Sequence, residues 1–177
     1  MSDSIRKRLA VTVLSVSLAG IGTWMNSEGF ADKPMIPTKG DVPTIGFGST
    51  RYEDGRAVKL TDPPITRQRA EQLARNLMAR DEQQFRASLE GVELFQDEYD
   101  LYLNFVGQFG IGNWRKPMSP RAWLLKGDYA GACQALLNWR YAAGYDCSTL
   151  MNGKPNTRCY GVWTRQLERN HKCMEAQ

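Results

Sequence analysis

The least polar stretch of this chain lies at its amino terminus. Arg6, Lys7 and Arg8 are followed by residues 9–27, none of which carries a charge. As a helix rising about 1.5 Å per residue, this stretch would be about 28 Å long, close to the thickness of the apolar core of a membrane. Basic residues before an apolar run predict membrane targeting with the amino terminus inside and the rest of the chain exported.

The stretch is weakly apolar for a permanent anchor. Its leucine, valine and isoleucine residues alternate with small or hydroxyl residues, namely Thr12, Ser15, Ser17, Gly20, Gly22 and Thr23. We therefore predict an uncleaved anchor over residues 1–27 that inserts marginally and can leave the membrane. Two alternatives stay open at this stage. One is a signal peptide cleaved after the small-x-small sequence at 17–19, and the other is a buried helix of a soluble protein.

Beyond residue 27 the pattern changes from turn-rich to helical. Residues 28–60 contain short apolar pieces between glycines and prolines, which favours a small β-hairpin lobe. Thr66 is a good N-cap for a helix running towards Leu89, with apolar residues at helical spacing and Gly91 as its stop. Further helices are expected at 96–110, 121–125, 127–139 and 161–171. The first of these is apolar on nearly every side, which predicts a central buried helix.

These elements predict an α+β fold, mostly α-helical, with a hairpin lobe (28–60) and a helical lobe (61–177) within one domain, 28–177. Tryptophans recur along the helical lobe, and packing in the core is a more common role for each than stacking on a sugar. These tryptophans are Trp114, Trp123, Trp139 and Trp163.

Charge and composition exclude some partners. The 177 residues carry a net charge of +4, but no dense lysine and arginine patch appears after residue 8. We therefore expect no nucleic-acid partner. Mild positive charge is compatible with an anionic polymer but does not identify one.

The four cysteines, Cys133, Cys147, Cys159 and Cys173, all lie in the last third of the chain. They contain no CxxC spacing, and His171 is the only histidine, which argues against zinc. Export predicts two disulfides instead. Of the three possible connectivities we favour Cys147–Cys159, which closes a local loop, with Cys133–Cys173 joining two helices.

The sequence from Glu28 to Thr50 is the best candidate for chemistry. Hydrolysis of a glycan needs a carboxylic acid to protonate the leaving oxygen and a group that places water or stabilises the cationic transition state. A glutamate at the end of a helix and facing a tight hairpin suits the general acid. Partial burial would raise the pKa of such a carboxyl and keep it protonated near neutral pH.

Several motifs together resemble the phage-type lysozymes, glycoside hydrolase family 24, and within them the signal-arrest-release endolysins of lambdoid phages. The matching pieces are Glu28-Gly29, TIGFGST (44–50), ITRQRAEQL (65–73), GIGNW (110–114) and GVWTRQLER (161–169). The resemblance implies a lysozyme-like fold and hydrolysis of the β-1,4 bond between N-acetylmuramic acid and N-acetylglucosamine in peptidoglycan. It also implies that Glu28 is the general acid and that Thr44 positions the water. A cofactor or metal is not expected, and we expect a monomer.

The middle member of the family's Glu, Asp or Cys, Thr pattern is missing here. Pro37 occupies its place, and the spacing from Glu28 to Thr44 is one residue longer than the pattern. Asp41 can take the role if the extra residue reshapes the turn, or it can be an ordinary turn residue. Thr38 is a third possibility. The substitution also leaves open a non-catalytic pseudo-lysozyme that binds peptidoglycan, while a lytic transglycosylase is the alternative among enzymes.

The position of Glu28 directly after the anchor predicts how the enzyme is controlled. A glutamate held at the membrane surface cannot also lie in a cleft against residues 41–44. We therefore expect an inactive form at the host inner membrane, facing the periplasm, and an active form released into the periplasm. The resemblance implies that loss of the membrane potential triggers this release. A disulfide switch within the anchor is excluded, because no cysteine precedes Cys133.

Overall fold

The computed structural model describes residues 6–37 and 40–177, and it describes only the backbone of residues 26–28. Seven α-helices occur in this part of the chain: α1 Leu18–Glu28, α2 Arg67–Ala87, α3 Gln96–Phe109, α4 Ile111–Trp114, α5 Pro120–Leu124, α6 Tyr129–Ala135 and α7 Tyr160–Glu175. Short 3-10 helices cover Val11–Val13 and Leu136–Asn138.

The strands are short and form antiparallel pairs. They are β1 Leu9–Ala10, β2 Ala31–Met35, β3 Thr44–Gly46, β4 Glu93–Leu94, β5 Tyr141–Ala142, β6 Tyr145–Asp146, β7 Leu150–Met151 and β8 Lys154–Pro155. In the described residues they pair as β1–β4, β2–β3, β5–β6 and β7–β8. The expected α+β, mostly helical fold is confirmed.

The chain divides into two compact units. One comprises Val16–Gln84, and the other comprises Phe85–Gln177 together with residues 6–15. The lobes expected from the sequence, 28–60 and 61–177, stay a prediction.

The unit formed by Val16–Gln84 is built on one face of α2. The Thr66 hydroxyl accepts a hydrogen bond from the Arg69 backbone N–H at 3.1 Å, which confirms the predicted N-cap. Along the helix, apolar residues at helical spacing are buried against the hairpin and the loop after it. They form two clusters, Ile45, Val58 and Leu73 in one and Phe47, Ala70 and Ala74 in the other.

The second unit surrounds α3, the predicted central helix. Tyr99, Tyr102 and Phe105 of α3 are fully buried. The ring of Trp114 lies 5.7 Å from that of Tyr102 and 5.9 Å from that of Phe105, measured between centroids. The indole N–H of Trp114 donates to the Ser88 hydroxyl at 2.8 Å, so this buried polar group is satisfied.

Both disulfides connect the cysteines in the favoured pairing. Cys133–Cys173 joins α6 to α7 across 40 residues, and Cys147–Cys159 closes a local loop across 12 residues. The small hairpin β7–β8 lies within this loop, and the hairpin β5–β6 directly precedes it. The expectation from cysteine spacing is confirmed.

Residues 9–27 do not form one continuous helix in this structure. Leu9–Ala10 pairs with Glu93–Leu94, and α1 begins only after Ser17, whose hydroxyl accepts from the Gly20 N–H at 3.0 Å. The helix α1 does not continue back beyond Ser17, because an N-cap residue has an extended backbone. Within the described part of the chain, no helix has both the length and the apolar character that a membrane span needs.

Candidate active site

Glu28 is the last residue of α1. Gly29 follows with a positive φ of 69°, a conformation that glycine adopts without steric cost, and turns the chain from the helix into β2. The sequence expectation of a glutamate at a helix end before a hairpin is therefore met by the backbone. The Glu28 side chain lies outside the described part of the structure.

The hairpin links the end of α1 to Thr44. Ala31 pairs with Gly46 and Met35 pairs with Thr44, with an irregularity in register between the two pairs. Ala31 lies three residues after Glu28, so β3 runs beside the chain that leaves the helix. Extra residues in one strand of an antiparallel pair disturb the pairing locally in this way.

The Thr44 side chain is half-buried at the start of β3. Its hydroxyl donates to the Met35 carbonyl oxygen at 3.4 Å, a long and therefore weak hydrogen bond. A hydroxyl held this loosely can rotate and accept from, or donate to, a water molecule.

The position where the family has an acid, residue 37, holds a proline, and Asp32, the carboxylate of β2, is exposed. Pro37 is exposed, Thr38 lies outside the described residues, and Asp41 is exposed on the connection between the strands. Gly40, directly before Asp41, has a positive φ of 93°, as a turn requires. The structure thus places Asp41 and Thr44 on one short connection, and both interpretations of Asp41 stay open.

A cationic aromatic cluster beside the hairpin was not anticipated from the sequence. The rings of Phe30 and Phe47 lie 5.6 Å apart, and the Arg67 guanidinium carbon lies 5.7 Å and 5.6 Å from their centroids. Phe30 comes two residues after Glu28, and this closeness in sequence could have indicated an aromatic residue near the site. The cluster supports the hairpin and puts a positive charge next to it.

The Phe85–Gln177 unit contains a cavity of about 480 Å³ that is mostly apolar. Its walls include Phe109, Trp139, Met118 and Tyr141, with Lys116 also contributing. The indole N–H of Trp139 is buried without a hydrogen-bond partner among the described residues. Trp139 thus both packs against Phe109, with ring centroids 5.4 Å apart, and borders open space.

The tryptophan expectations are met unevenly. Trp114 is fully buried, as expected for the core, whereas Trp123 is 38% exposed and the core assignment was wrong for it. Trp123 lies on α5, a helix of five residues whose buried positions are Pro120 and Leu124. A helix this short buries one face, and Trp123 lies outside it.

The described residues contain no group of three or more side chains able to hold a metal ion.

A family model named phage lysozyme matches residues 25–158 of the chain. The chain belongs to the phage lysozyme family. The match begins just before Glu28 and includes the whole hairpin with Thr44. Among curated proteins, none is significantly similar to this chain in sequence.

Solved structures of the phage lysozyme type share the fold. The endolysin of Escherichia coli O157:H7 phage FAHEc1 superposes with a TM-score of 0.69 and 22% identity, covering 93% of this chain and 96% of that one. A mutant of P22 lysozyme gives 0.69 and 23%, covering 92% and 99%. The active form of the P1 phage endolysin Lyz gives 0.69 and 16%, covering 95% of each chain. Family membership supports an endolysin role, that of a peptidoglycan hydrolase.

Proposed function

We propose that this protein is a muramidase that hydrolyses the β-1,4 bond between N-acetylmuramic acid and N-acetylglucosamine in peptidoglycan. The observation that carries the proposal is the placement of Glu28 at the end of α1, with Thr44 beginning the strand that pairs with the chain after it. Family membership over residues 25–158 supports the same assignment.

In the proposed reaction the protonated carboxyl of Glu28 donates its proton to the glycosidic oxygen as the bond from that oxygen to the anomeric carbon breaks. Positive charge develops on the sugar ring, and a water oxygen attacks the anomeric carbon from the opposite face. The Thr44 hydroxyl orients this water. One proton of the water passes to Asp41 or to solvent while the other stays on the new anomeric hydroxyl, and the configuration at the anomeric carbon is inverted.

Asp41 is the proposed base because it precedes Thr44 by three residues on the same connection. Thr38 is the alternative partner, in which case an uncharged group orients the water and solvent receives the proton.

We also propose that residues 1–27 anchor an inactive form in the host inner membrane, facing the periplasm. Residues 18–27 of the proposed anchor belong to the same helix as Glu28, α1. This helix cannot lie in the bilayer and also deliver Glu28 to the hairpin. In the folded protein Leu18 remains 80% exposed and Val13 72% exposed, so the fold itself leaves these apolar side chains unburied.

The membrane potential supplies the force that holds the anchor. Moving one charge across a membrane costs about 2.3 kcal/mol per 100 mV, so the three basic residues at 6–8 together resist export by about 7 kcal/mol per 100 mV. Collapse of the potential removes this barrier, and the weakly apolar segment can then leave and fold into the periplasmic protein.

Mass spectrometry of purified peptidoglycan digested by the purified protein tests the proposed reaction. Muropeptides with reducing N-acetylmuramic acid ends are the expected products. Products with 1,6-anhydro ends would assign a lytic transglycosylase instead. Absence of products, which Pro37 at the acidic position makes a specific alternative, would indicate a non-catalytic peptidoglycan-binding protein.

A further inference from the structure

Arg8 makes a buried ion pair that the proposed mechanism does not use. Its guanidinium donates from Nε to Glu98 Oε2 at 3.0 Å and from Nη2 to Glu98 Oε1 at 2.9 Å. The Glu98 side chain is 0% exposed and that of Arg8 is 22% exposed. A bidentate pair of this kind combines two charge-assisted hydrogen bonds with a fixed geometry.

Two aromatic rings and an amide complete the surroundings of Arg8. Its guanidinium carbon lies 4.4 Å from the ring centroid of Phe95 and 3.8 Å from that of Tyr129. Gln177 accepts from Arg8 Nη2 at 2.7 Å and donates to Glu98 Oε1 at 2.8 Å. Cation–π contacts and hydrogen bonds thus surround this one side chain from the amino-terminal segment.

The backbone that follows Arg8 binds to residues 92–94, which lie just before Phe95 and Glu98. Leu9–Ala10 adds a strand to Glu93–Leu94, and the Val11 N–H donates to the Val92 carbonyl at 3.0 Å. Val11 and Leu14 are buried, and the Leu14 carbonyl accepts from Arg86 at 3.2 Å. This is addition of an extended segment to an available strand edge, where backbone bonds give affinity and side chains give specificity.

Glu98 also caps a helix within the Phe85–Gln177 part of its unit. Its carboxylate accepts the Phe95 backbone N–H at 2.9 Å and so caps the start of α3. Without Arg8 the same carboxylate would remain in place with its charge uncompensated, an unfavourable state for a buried group. Residues 85–177 therefore hold a buried carboxylate in position to bind a cation from the amino-terminal segment.

We propose that Phe95, Glu98 and Tyr129 form a docking site for the chain's own amino-terminal segment, and that binding of Arg8 there holds the segment away from the membrane after release. The proposal rests on the proposed membrane release. The basic residue that orients the anchor in the bilayer would be the same residue that secures it afterwards. Docking therefore opposes reinsertion and makes activation effectively one-way.

Arg6 provides a matched control on the same segment. It pairs with a carboxylate, Asp97, at 2.8 Å, and its guanidinium carbon lies 4.9 Å from the Phe95 ring centroid, but the Arg6 and Asp97 side chains are 55% and 70% exposed and Arg6 does not contact Glu98 or Tyr129 in the contacts of the described residues. Arg8→Gln and Arg6→Gln remove the same charge from the same basic flank, so their effects on membrane orientation are alike. They differ in that only Arg8→Gln leaves a buried carboxylate unpaired.

Hydrogen exchange of the purified full-length protein measures docking directly. In Arg8→Gln the amides of Val11 and Leu14 should exchange about 100-fold faster than in the wild type. In Arg6→Gln the change should stay within about threefold, because exposed ion pairs contribute little. Equal exchange rates in the two variants would overturn the proposal. If Arg8→Gln does not fold, Glu98→Gln replaces it, because its amide oxygen can still accept the Phe95 N–H.

Sedimentation with vesicles of phosphatidylethanolamine and phosphatidylglycerol tests the opposition to reinsertion. Several-fold more Arg8→Gln than Arg6→Gln should bind the vesicles, and equal binding would contradict the proposed holding role. The muropeptide assay separates this outcome from the proposed function. A wild type that releases no products would refute the hydrolase, whereas active wild type with equal exchange in both variants would refute only the docking site.

Discussion

Gly46 shows why the TIGFGST run places a glycine where β3 meets α2. Its φ is +65°, and a Cβ added there would lie 2.9 Å from the Cβ of Ala70, a fully buried residue of the helix. The motif therefore combines an unusual backbone conformation with a close approach. Both requirements belong to packing, so this glycine supports the site without taking part in the chemistry.

Replacement of Gly46 by alanine should destabilise the protein more than the same change at Gly55. Both residues have positive φ, but a Cβ at Gly55 meets no atom within 4 Å. We expect Gly55→Ala to cost about 1 kcal/mol and Gly46→Ala about 1–3 kcal/mol more, because only the second adds a steric clash. Urea unfolding of both variants measures the difference, and equal losses would show that α2 moves to make room.

Asp41→Asn distinguishes a catalytic base from a turn residue. If Asp41 takes the proton from water, as proposed, the rate of peptidoglycan hydrolysis should fall by about several hundred-fold with little change in stability. The rate is measured on purified peptidoglycan and the stability by urea unfolding. Nearly full activity with a lowered unfolding midpoint would assign Asp41 to the turn and transfer the role to Thr38 or solvent.

At the scale of elements, α1 has two requirements to meet. Under the proposed membrane release it has to be apolar enough to enter a bilayer and polar enough to leave it, and in the folded protein it ends at Glu28. Glycine lowers both apolar character and helix propensity, and Gly22 lies within the helix. In the folded protein a Cβ at Gly22 meets no atom within 4 Å, so a larger side chain is tolerated there.

Gly22→Leu, strengthened if needed by Gly20→Leu, should retain the protein in the membrane and suppress lysis. Fractionation of expressing cells measures retention, and culture turbidity measures lysis. Gly22→Ser is the matched control, since it adds a side chain without making the segment more apolar, and it should behave like the wild type. Undiminished lysis by membrane-retained Gly22→Leu protein would refute control by anchoring.

Elements that follow from local pattern were predictable. The spacing of Ala70, Leu73, Leu77 and Met78 and the N-cap at Thr66 predict α2, and the run of aromatic residues predicts α3. The hairpin follows from its glycines and prolines. The sequence constrained the cysteine pairing less, since three connectivities were possible. We favoured one of them because Cys147–Cys159 closes a local loop.

Other features depend on partners distant in sequence. Nothing near Leu9–Ala10 indicates that it pairs with Glu93–Leu94, and Arg8 reads as part of a membrane flank until Glu98 is placed beside it. The acidic group that the family pattern places between Glu28 and Thr44 could not be predicted either. Pro37 stands at its usual position, and the connection is one residue longer. Local sequence does not report which distant carboxylate a longer turn brings near.

At the scale of the whole molecule, the two disulfides stabilise the carboxyl-terminal third to different extents. Cys133–Cys173 closes 40 residues and Cys147–Cys159 closes 12. The entropy of the unfolded chain predicts losses of about 4 and about 3 kcal/mol when each pair is replaced by alanines. Unfolding of the two double variants under oxidising conditions measures this order. A larger loss for the Cys147–Cys159 pair would show that the local loop matters more than chain entropy.

The proposed muramidase activity depends on Glu28 as its general acid. The most direct test is the rate at which purified Glu28→Gln protein produces reducing ends from purified peptidoglycan, compared with the wild type and with Glu71→Gln. Glu71 lies on α2 in an i,i+4 ion pair with Arg67 and has no proposed role in the reaction. We predict a loss of about 100-fold to 10,000-fold for Glu28→Gln and close to wild-type rates for Glu71→Gln. A folded Glu28→Gln protein that produces reducing ends as fast as the wild type would contradict this prediction.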